Sequence, residues 1–165
     1  MEHPITYGIA GYRAPELLVD QWIDAEGKTI EPIKLGDYDG KFKVIYCFQS
    51  WCPGCHSRGF PALQEMTKAL DDKDNIVFLA IQTVFEGREA NTYDKLRETQ
   101  QQYHLDIPFG HDPGDQTSNN TSKTMYHFRT GGTPWFIFID QNNHVVFNDF
   151  HLDVAKAIAF LKSLV

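Results

Sequence analysis

Two sulfurs are the residues best placed to do chemistry: Cys52 and Cys55, in the run Ser50-Trp51-Cys52-Pro53-Gly54-Cys55. Two intervening residues let one sulfur reach the other and close a small disulfide ring. The pair directly follows the apolar run Val44-Ile45-Tyr46-Cys47-Phe48 and directly precedes a helical pattern. A Cys-x-x-Cys at a strand–helix junction puts its first sulfur at the helix N-terminus. Unpaired main-chain N–H groups and the positive end of the helix dipole favour a thiolate there. The letters permit two other chemistries. Cys52-Pro53-Gly54-Cys55-His56 also spells the c-type haem attachment signature, but a preceding strand and the lack of a leader argue against it. A zinc site on Cys52, Cys55 and His56 lacks a second pair at ligand spacing. The third cysteine, Cys47, reads as a small core residue of the strand.

The elements that must hold this pair follow from periodicity. Phe42 to Gln49 reads as a buried central strand, and Ile76 to Thr83 as a second one. Between them Phe60, Leu63, Met66, Thr67 and Leu70 recur at helical spacing from Pro53 to about Leu70, with a kink expected at Pro61. Upstream, Trp22-Ile23 and Thr29-Ile30 flank Asp24-Ala25-Glu26-Gly27, a hairpin pattern with Gly where φ > 0 is needed. Downstream, Thr92 is placed to cap a helix to about His104, with Tyr93, Leu96 and Tyr103 on one face. Residues His111 to Thr121 read as turns, followed by a short helix through Tyr126. Phe136–Ile139 and His144–Phe147 form a second hairpin pattern. Asp153 is placed to cap a last helix bearing Val154, Ile158, Leu161 and Leu164. Two buried strands joined by a helix should be parallel, with the last hairpin antiparallel. The whole reads as an α/β fold of one domain over residues 1–165, its mixed sheet flanked by helices on both faces. Residues 1–16 read as an irregular arm.

Composition narrows the partners. The chain has 165 residues, a formal charge of −7 and scattered Lys and Arg, which argues against nucleic acid or an anionic membrane surface. No stretch approaches the length of a membrane span. Met1-Glu2-His3-Pro4-Ile5-Thr6 lacks a basic segment followed by an apolar one. The expected location is cytoplasmic if Met1 is the natural start, and periplasmic if a signal was trimmed. Three cysteines are too few for a disulfide scaffold, so a redox role for one pair fits better.

The element order, Trp51-Cys52-Pro53-Gly54-Cys55 and the late Gly131-Gly132-Thr133-Pro134 together resemble the thioredoxin superfamily. Ala14-Pro15-Glu16-Leu17, Asp24-Ala25-Glu26-Gly27-Lys28 and the Gly-Thr-Pro before the hairpin resemble its TlpA/ResA-type thiol–disulfide oxidoreductases, which overlap with the AhpC/TSA redoxins. The resemblance implies a thioredoxin-like fold with an N-terminal β-hairpin extension. It implies exchange of disulfides with a protein or small-molecule substrate, supported by an external thiol reductant or oxidant and no bound cofactor. A monomer or weak dimer is expected. Cys52 would attack and Cys55 would resolve the mixed disulfide. Pro134 would be cis against the cysteine pair, with the Thr133 backbone offered to an extended substrate and Trp51 beside it.

The chain departs from that pattern in three places. Relatives often carry a carboxylate after the second cysteine or on the preceding strand to move a proton. Here His56-Ser57-Arg58-Gly59-Phe60-Pro61 follows Cys55, one residue longer than expected before Phe-Pro, and the strand position is Tyr46. Arg58 or His56 could favour the thiolate by charge instead. Glu86, in the loop after the second buried strand, is a further candidate because that loop should open on the same sheet edge as Cys52. A thiol peroxidase is the rival enzyme. Its pattern needs Pro and Thr before the cysteine, where this chain has Ile45 and Gln49. A non-enzymatic module whose dithiol only switches with redox state is the other alternative.

Overall fold

The computed structural model describes residues 9–164. The N-terminal arm expected over residues 1–16 thus lies in part, residues 1–8, outside the described residues.

Strand β3 (Phe42–Phe48) is buried at every position, as expected where both faces of a sheet are covered. Counting in chain order, β1 is Gln21–Ile23, β2 Thr29–Ile30, β4 Ile76–Thr83, β5 Phe109–Asp112, β6 Trp135–Ile139 and β7 Val145–Asp149. They form one sheet in the order β2-β1-β5-β4-β3-β6-β7. β3 and β4 run parallel from Phe42 opposite Ile76 to Phe48 opposite Gln82, while β6 lies antiparallel on the other side of β3. Helices α1 (Phe60–Ala69), α2 (Lys95–Gln102), α3 (Lys123–Phe128) and α4 (Val154–Ser163) complete the structure.

The pleat of β3 divides the core in two. Val44, Tyr46 and Phe48 face one way, onto Phe60, Leu63 and Met66 of α1, Leu96 of α2 and Leu161 of α4. Ile45 and Cys47 face the other way, with Ile81, Trp135, Ile137, Phe128 of α3, and Leu17 and Val19 from the segment before β1. Each buried Phe, Leu or Ile contributes about 1.5–3 kcal/mol relative to exposure. Both strand ends that carry the site are therefore held by packing on two sides.

Three expectations from the sequence need correction. The stretch after Ile107 is not only turns: Phe109-Gly110-His111-Asp112 is strand β5, between β1 and β4. A four-residue strand containing Gly, His and Asp has little β propensity of its own and exists because both neighbours pair with it. Gly110 leaves room for the Trp22 ring of β1, from which a Cβ would lie only 3.1 Å away.

The long helix does not kink at Pro61. Its irregularity lies just before, in a π-helical turn over Cys55–Gly59, and Pro61 falls in the first turn of α1. A proline there has no N–H to continue the regular ladder, and a π turn absorbs one extra residue. That extra residue is the one by which the segment exceeds the expected spacing.

Thr92 does not cap α2 with its side chain. The helix begins at Lys95 after a turn in which Lys95 N–H donates to the Thr92 carbonyl at 3.1 Å. Residues 11–14 form a turn and one isolated bridge that tie the arm to the last hairpin. Gly11 N–H donates to the Val145 carbonyl (2.6 Å), Ala14 N–H to Asn143 (2.7 Å), and Arg13 bridges His144.

The other boundaries follow the sequence. β1 and β2 pair antiparallel around Gly27 at φ +85°, and Asp153 accepts from Lys156 N–H (3.1 Å) at the start of α4.

Candidate active site

The end of β3 delivers Gln49, Ser50 and Trp51 to the edge of the sheet, and the chain turns there into a helix that begins at Pro53. Cys52 N–H donates to the Gln49 carbonyl at 3.2 Å, which closes the turn. Cys55 N–H, one helical turn in, donates to Cys52 Sγ at 3.2 Å. A main-chain donor aimed at a sulfur favours negative charge on it. Cys52 Sγ also contacts the Thr133 carbonyl, 3.6 Å away. All three cysteines are free thiols, and Cys52 keeps 5% exposure where Cys55 has none.

The Thr133–Pro134 bond is cis. Pro134 lies over the dipeptide between the cysteines, since a Cβ at Gly54 would be 3.4 Å from its Cδ. Burial and the neighbouring Cys52 sulfur push the Cys55 thiol up to about 12, against smaller opposing contributions from Gln49 and Thr133. Cys55 is accordingly a neutral thiol near pH 7. Burial also raises the Cys47 thiol, on the other face of the sheet, and keeps it protonated.

Tyr46 stands on β3 at the position where the resemblance leads one to expect a carboxylate. Its hydroxyl donates to the Cys55 carbonyl at 2.9 Å, and the same carbonyl accepts from Phe60 N–H in the π turn. Burial raises the phenol well above its ordinary value of 10, so it remains a neutral donor. Gly59 makes this approach possible. A Cβ there would meet the Tyr46 hydroxyl and lie 2.7 Å from its Cζ.

His56 takes a different part from the charge effect expected of it. One ring nitrogen, Nε2, lies 2.6 Å from the Ser50 carbonyl, and Nδ1 contacts the Tyr103 hydroxyl. A carbonyl can only accept, so Nε2 carries the proton, and in the neutral ring Nδ1 accepts from Tyr103. Tyr103 itself stacks on Phe60, 4.1 Å between centroids and 8° from parallel. Imidazole, phenol and phenyl thus clamp the turn before Cys52 to the helix after Cys55.

Ser50 is held from the other side as well. Its N–H donates to Asn91 Oδ1 (2.6 Å) and its hydroxyl to Gln82 Oε1 (2.9 Å). Gln82 donates in turn to the Thr92 carbonyl and to His111 Nδ1, each at 2.9 Å. Sequence reasoning missed Ser50, Gln82, Asn91, His111 and Tyr103 as supports. The usable signal was Gln82, a polar side chain ending an otherwise apolar buried strand.

The loop after β4 borders the site, but Glu86 reaches it by its main chain. Its carbonyl accepts from Trp51 Nε1 at 3.3 Å and from Asn91 Nδ2 at 3.2 Å, while its carboxylate forms no ion pair among the described residues. Trp51 is 41% exposed and stands edge-on to Phe85. Gln49 Oε1 accepts from Phe85 N–H (3.2 Å) and Glu86 N–H (3.5 Å). Trp135 is buried on the opposite face of the sheet with Cys47. Arg58 is exposed, its guanidinium 5.6 Å from the centre of the Phe150 ring.

A free dithiol at a strand–helix junction, under a proline from a distant loop and on a mixed sheet with helices on both faces, defines an oxidoreductase of thioredoxin-like fold. Residues 10–148 match the AhpC/TSA family, and the chain belongs to that family. A solved thioredoxin-like superfamily protein is 31% identical, with a TM-score of 0.78 over 92% of this chain and 96% of its own. A thiol-disulfide isomerase from Corynebacterium glutamicum is 26% identical, with a TM-score of 0.76 and the same shares covered. The thioredoxin domain of a thiol-disulfide oxidoreductase from Bacteroides vulgatus is only 16% identical, yet superposes with a TM-score of 0.67 over 95% of this chain and 98% of its own. That last likeness concerns the fold alone. Among curated proteins none matches significantly.

Proposed function

We propose that the chain exchanges disulfides with protein or small-molecule substrates through Cys52 and Cys55, without a bound cofactor. The observation that carries this reading is the asymmetry of the two sulfurs. Cys52 has the exposure and accepts a main-chain N–H bond, while Cys55 is enclosed and held as a thiol by burial. Likeness to a thiol-disulfide isomerase at 26% identity supports it.

In the reducing direction, the Cys52 thiolate attacks one sulfur of a substrate disulfide. A Cys52–substrate bond forms, the substrate S–S bond breaks, and one substrate thiolate leaves. Cys55 then gives up its proton to that departing thiolate and attacks Cys52 Sγ. The Cys52–Cys55 disulfide forms and the second substrate thiolate leaves. Two electrons have passed to the substrate. An external dithiol returns the protein to its starting state, and run backwards the same steps oxidise a dithiol substrate. The Thr133 carbonyl beside Cys52 offers an extended substrate a place to pair. Peroxidase chemistry gains no support, because Gln49 spends its carboxamide oxygen on loop N–H groups and presents no hydroxyl.

The test is trapping. Cys55→Ser should accumulate a stable mixed disulfide on Cys52, seen by mass spectrometry of nonreduced digests, and Cys52→Ser should abolish it. Trapping on Cys55 or Cys47 in folded variants would overturn the assignment. Equilibrium titration of the wild type against glutathione then gives the direction.

A further inference from the structure

We infer that Arg58 makes this dithiol selective for disulfides carrying an acidic group beside the half-cystine. The inference rests on the exchange reaction proposed above and concerns which substrates that reaction accepts. A groove of about 620 Å³ runs from Pro134 between α1 and the loop that follows β7. Arg58, Phe136, Phe150 and His151 line it on the site side. Pro134 lines this groove and packs on Gly54, so the mouth of the groove lies beside the dipeptide that joins the two cysteines.

Arg58 stands at that mouth. One terminal guanidinium nitrogen would be 3.8 Å from a Cβ at Gly54, between the two cysteines. Its Cζ is 5.6 Å from the centre of the Phe150 ring, so an aromatic face steadies the cation without neutralising it. It is exposed and forms no ion pair among the described residues. The carboxylates that also line the groove are disposed otherwise. Asp153 is committed to the start of α4, where it accepts from Lys156 N–H. Glu65 lies two helical turns further along from Arg58. A carboxylate on the substrate therefore meets a forked donor of opposite charge, the geometry that guanidinium recognises best.

The experiment uses three fluorogenic peptide disulfides that differ only in the residue flanking the half-cystine, Glu, Gln or Lys. Each is reduced by wild-type protein, Arg58→Gln and Arg58→Glu at low and high salt. Wild type should rank them Glu over Gln over Lys, with about two- to fivefold in kcat/KM per step at low salt, the range of an exposed ion pair. High salt should compress that ranking. Arg58→Gln should erase it and Arg58→Glu should reverse it. Equal rates on all three peptides in wild type would overturn the inference while leaving disulfide exchange intact. So would a change by one common factor in Arg58→Glu, since that reports an effect on the Cys52 sulfur instead of on the substrate. No exchange with any peptide would remove the proposed function itself.

Discussion

Tyr46 and Gly59 are the pair of residues whose identities most directly explain one another. The hydroxyl of Tyr46 enters the π turn to reach the Cys55 carbonyl, and only glycine leaves it the space. Gly59→Ala should therefore destabilise the protein by about 1–3 kcal/mol, as overpacking at a buried site does. Tyr46→Phe alone should cost about 1 kcal/mol, the net value of a lost hydrogen bond. Since it also removes the nearest obstacle to the new methyl group, the double variant should lose less than the sum. Urea unfolding of the four proteins measures this, and strict additivity would show that the two side chains do not compete for one space. None of this was legible at the level of single letters. Cys52, Cys55, Thr133 and Pro134 could be picked out because their types and context are distinctive. Gly59 carries no such mark in the sequence, and its purpose appears only once a tyrosine from another element is seen to fill the same volume.

At the scale of elements, the active-site turn is fixed by contacts from α2 as much as by its own helix. His56 reaches back to the Ser50 carbonyl and out to Tyr103, which ends α2 and stacks on Phe60. Removing the imidazole leaves the Ser50 carbonyl without that donor, an omission that costs about 1–3 kcal/mol in a buried setting. His56→Ala should thus lower stability by that order and slow mixed-disulfide formation at Cys52. His56→Gln, whose amide can still donate to Ser50, should recover most of both. The measurements are urea unfolding and the rate of trapping in a Cys55→Ser background; a His56→Ala variant unchanged in both would make these contacts incidental. Periodicity located β3, β4, β6, α1 and α4 because each buries a long apolar face. It failed for β5, whose four residues owe their extended form to β1 and β4 on either side. It also failed to see that one extra residue would be absorbed as a π turn, because helical spacing carries no mark of where a ladder widens.

At the scale of the whole molecule, three strands are tied to the site through a single buried imidazole, and this makes stability depend on pH. His111 on β5 accepts from Gln82 on β4, which accepts from Ser50 just beyond β3. Burial lowers the His111 pKa below its ordinary 6.5; Asp112 opposes that shift and Arg88 adds to it. The native ring is therefore neutral, as its accepting Nδ1 requires. As pH falls through about 6.5, the unfolded chain takes up a proton that the native state refuses, so the free energy of unfolding declines. The decline runs from the unfolded pKa down to the folded one and then ceases, at a slope of at most about 1.4 kcal/mol per pH unit for this one group. Protonating Nδ1 would also set two donors against each other at Gln82, which would turn its amide and release the Ser50 hydroxyl. His111→Gln removes the titrating group and should flatten the stability profile between pH 7 and 5 relative to wild type. Losses below about pH 4 should persist, because the Asp115 carboxyl, held down to about 2 by Thr117 and Lys123, stays ionised in the folded state while the unfolded chain takes up the proton from about 3.8 downwards in both proteins. Urea midpoints from pH 8 to 2 on the two proteins decide it, and parallel profiles from pH 7 to 5 would show that His111 does not carry the dependence.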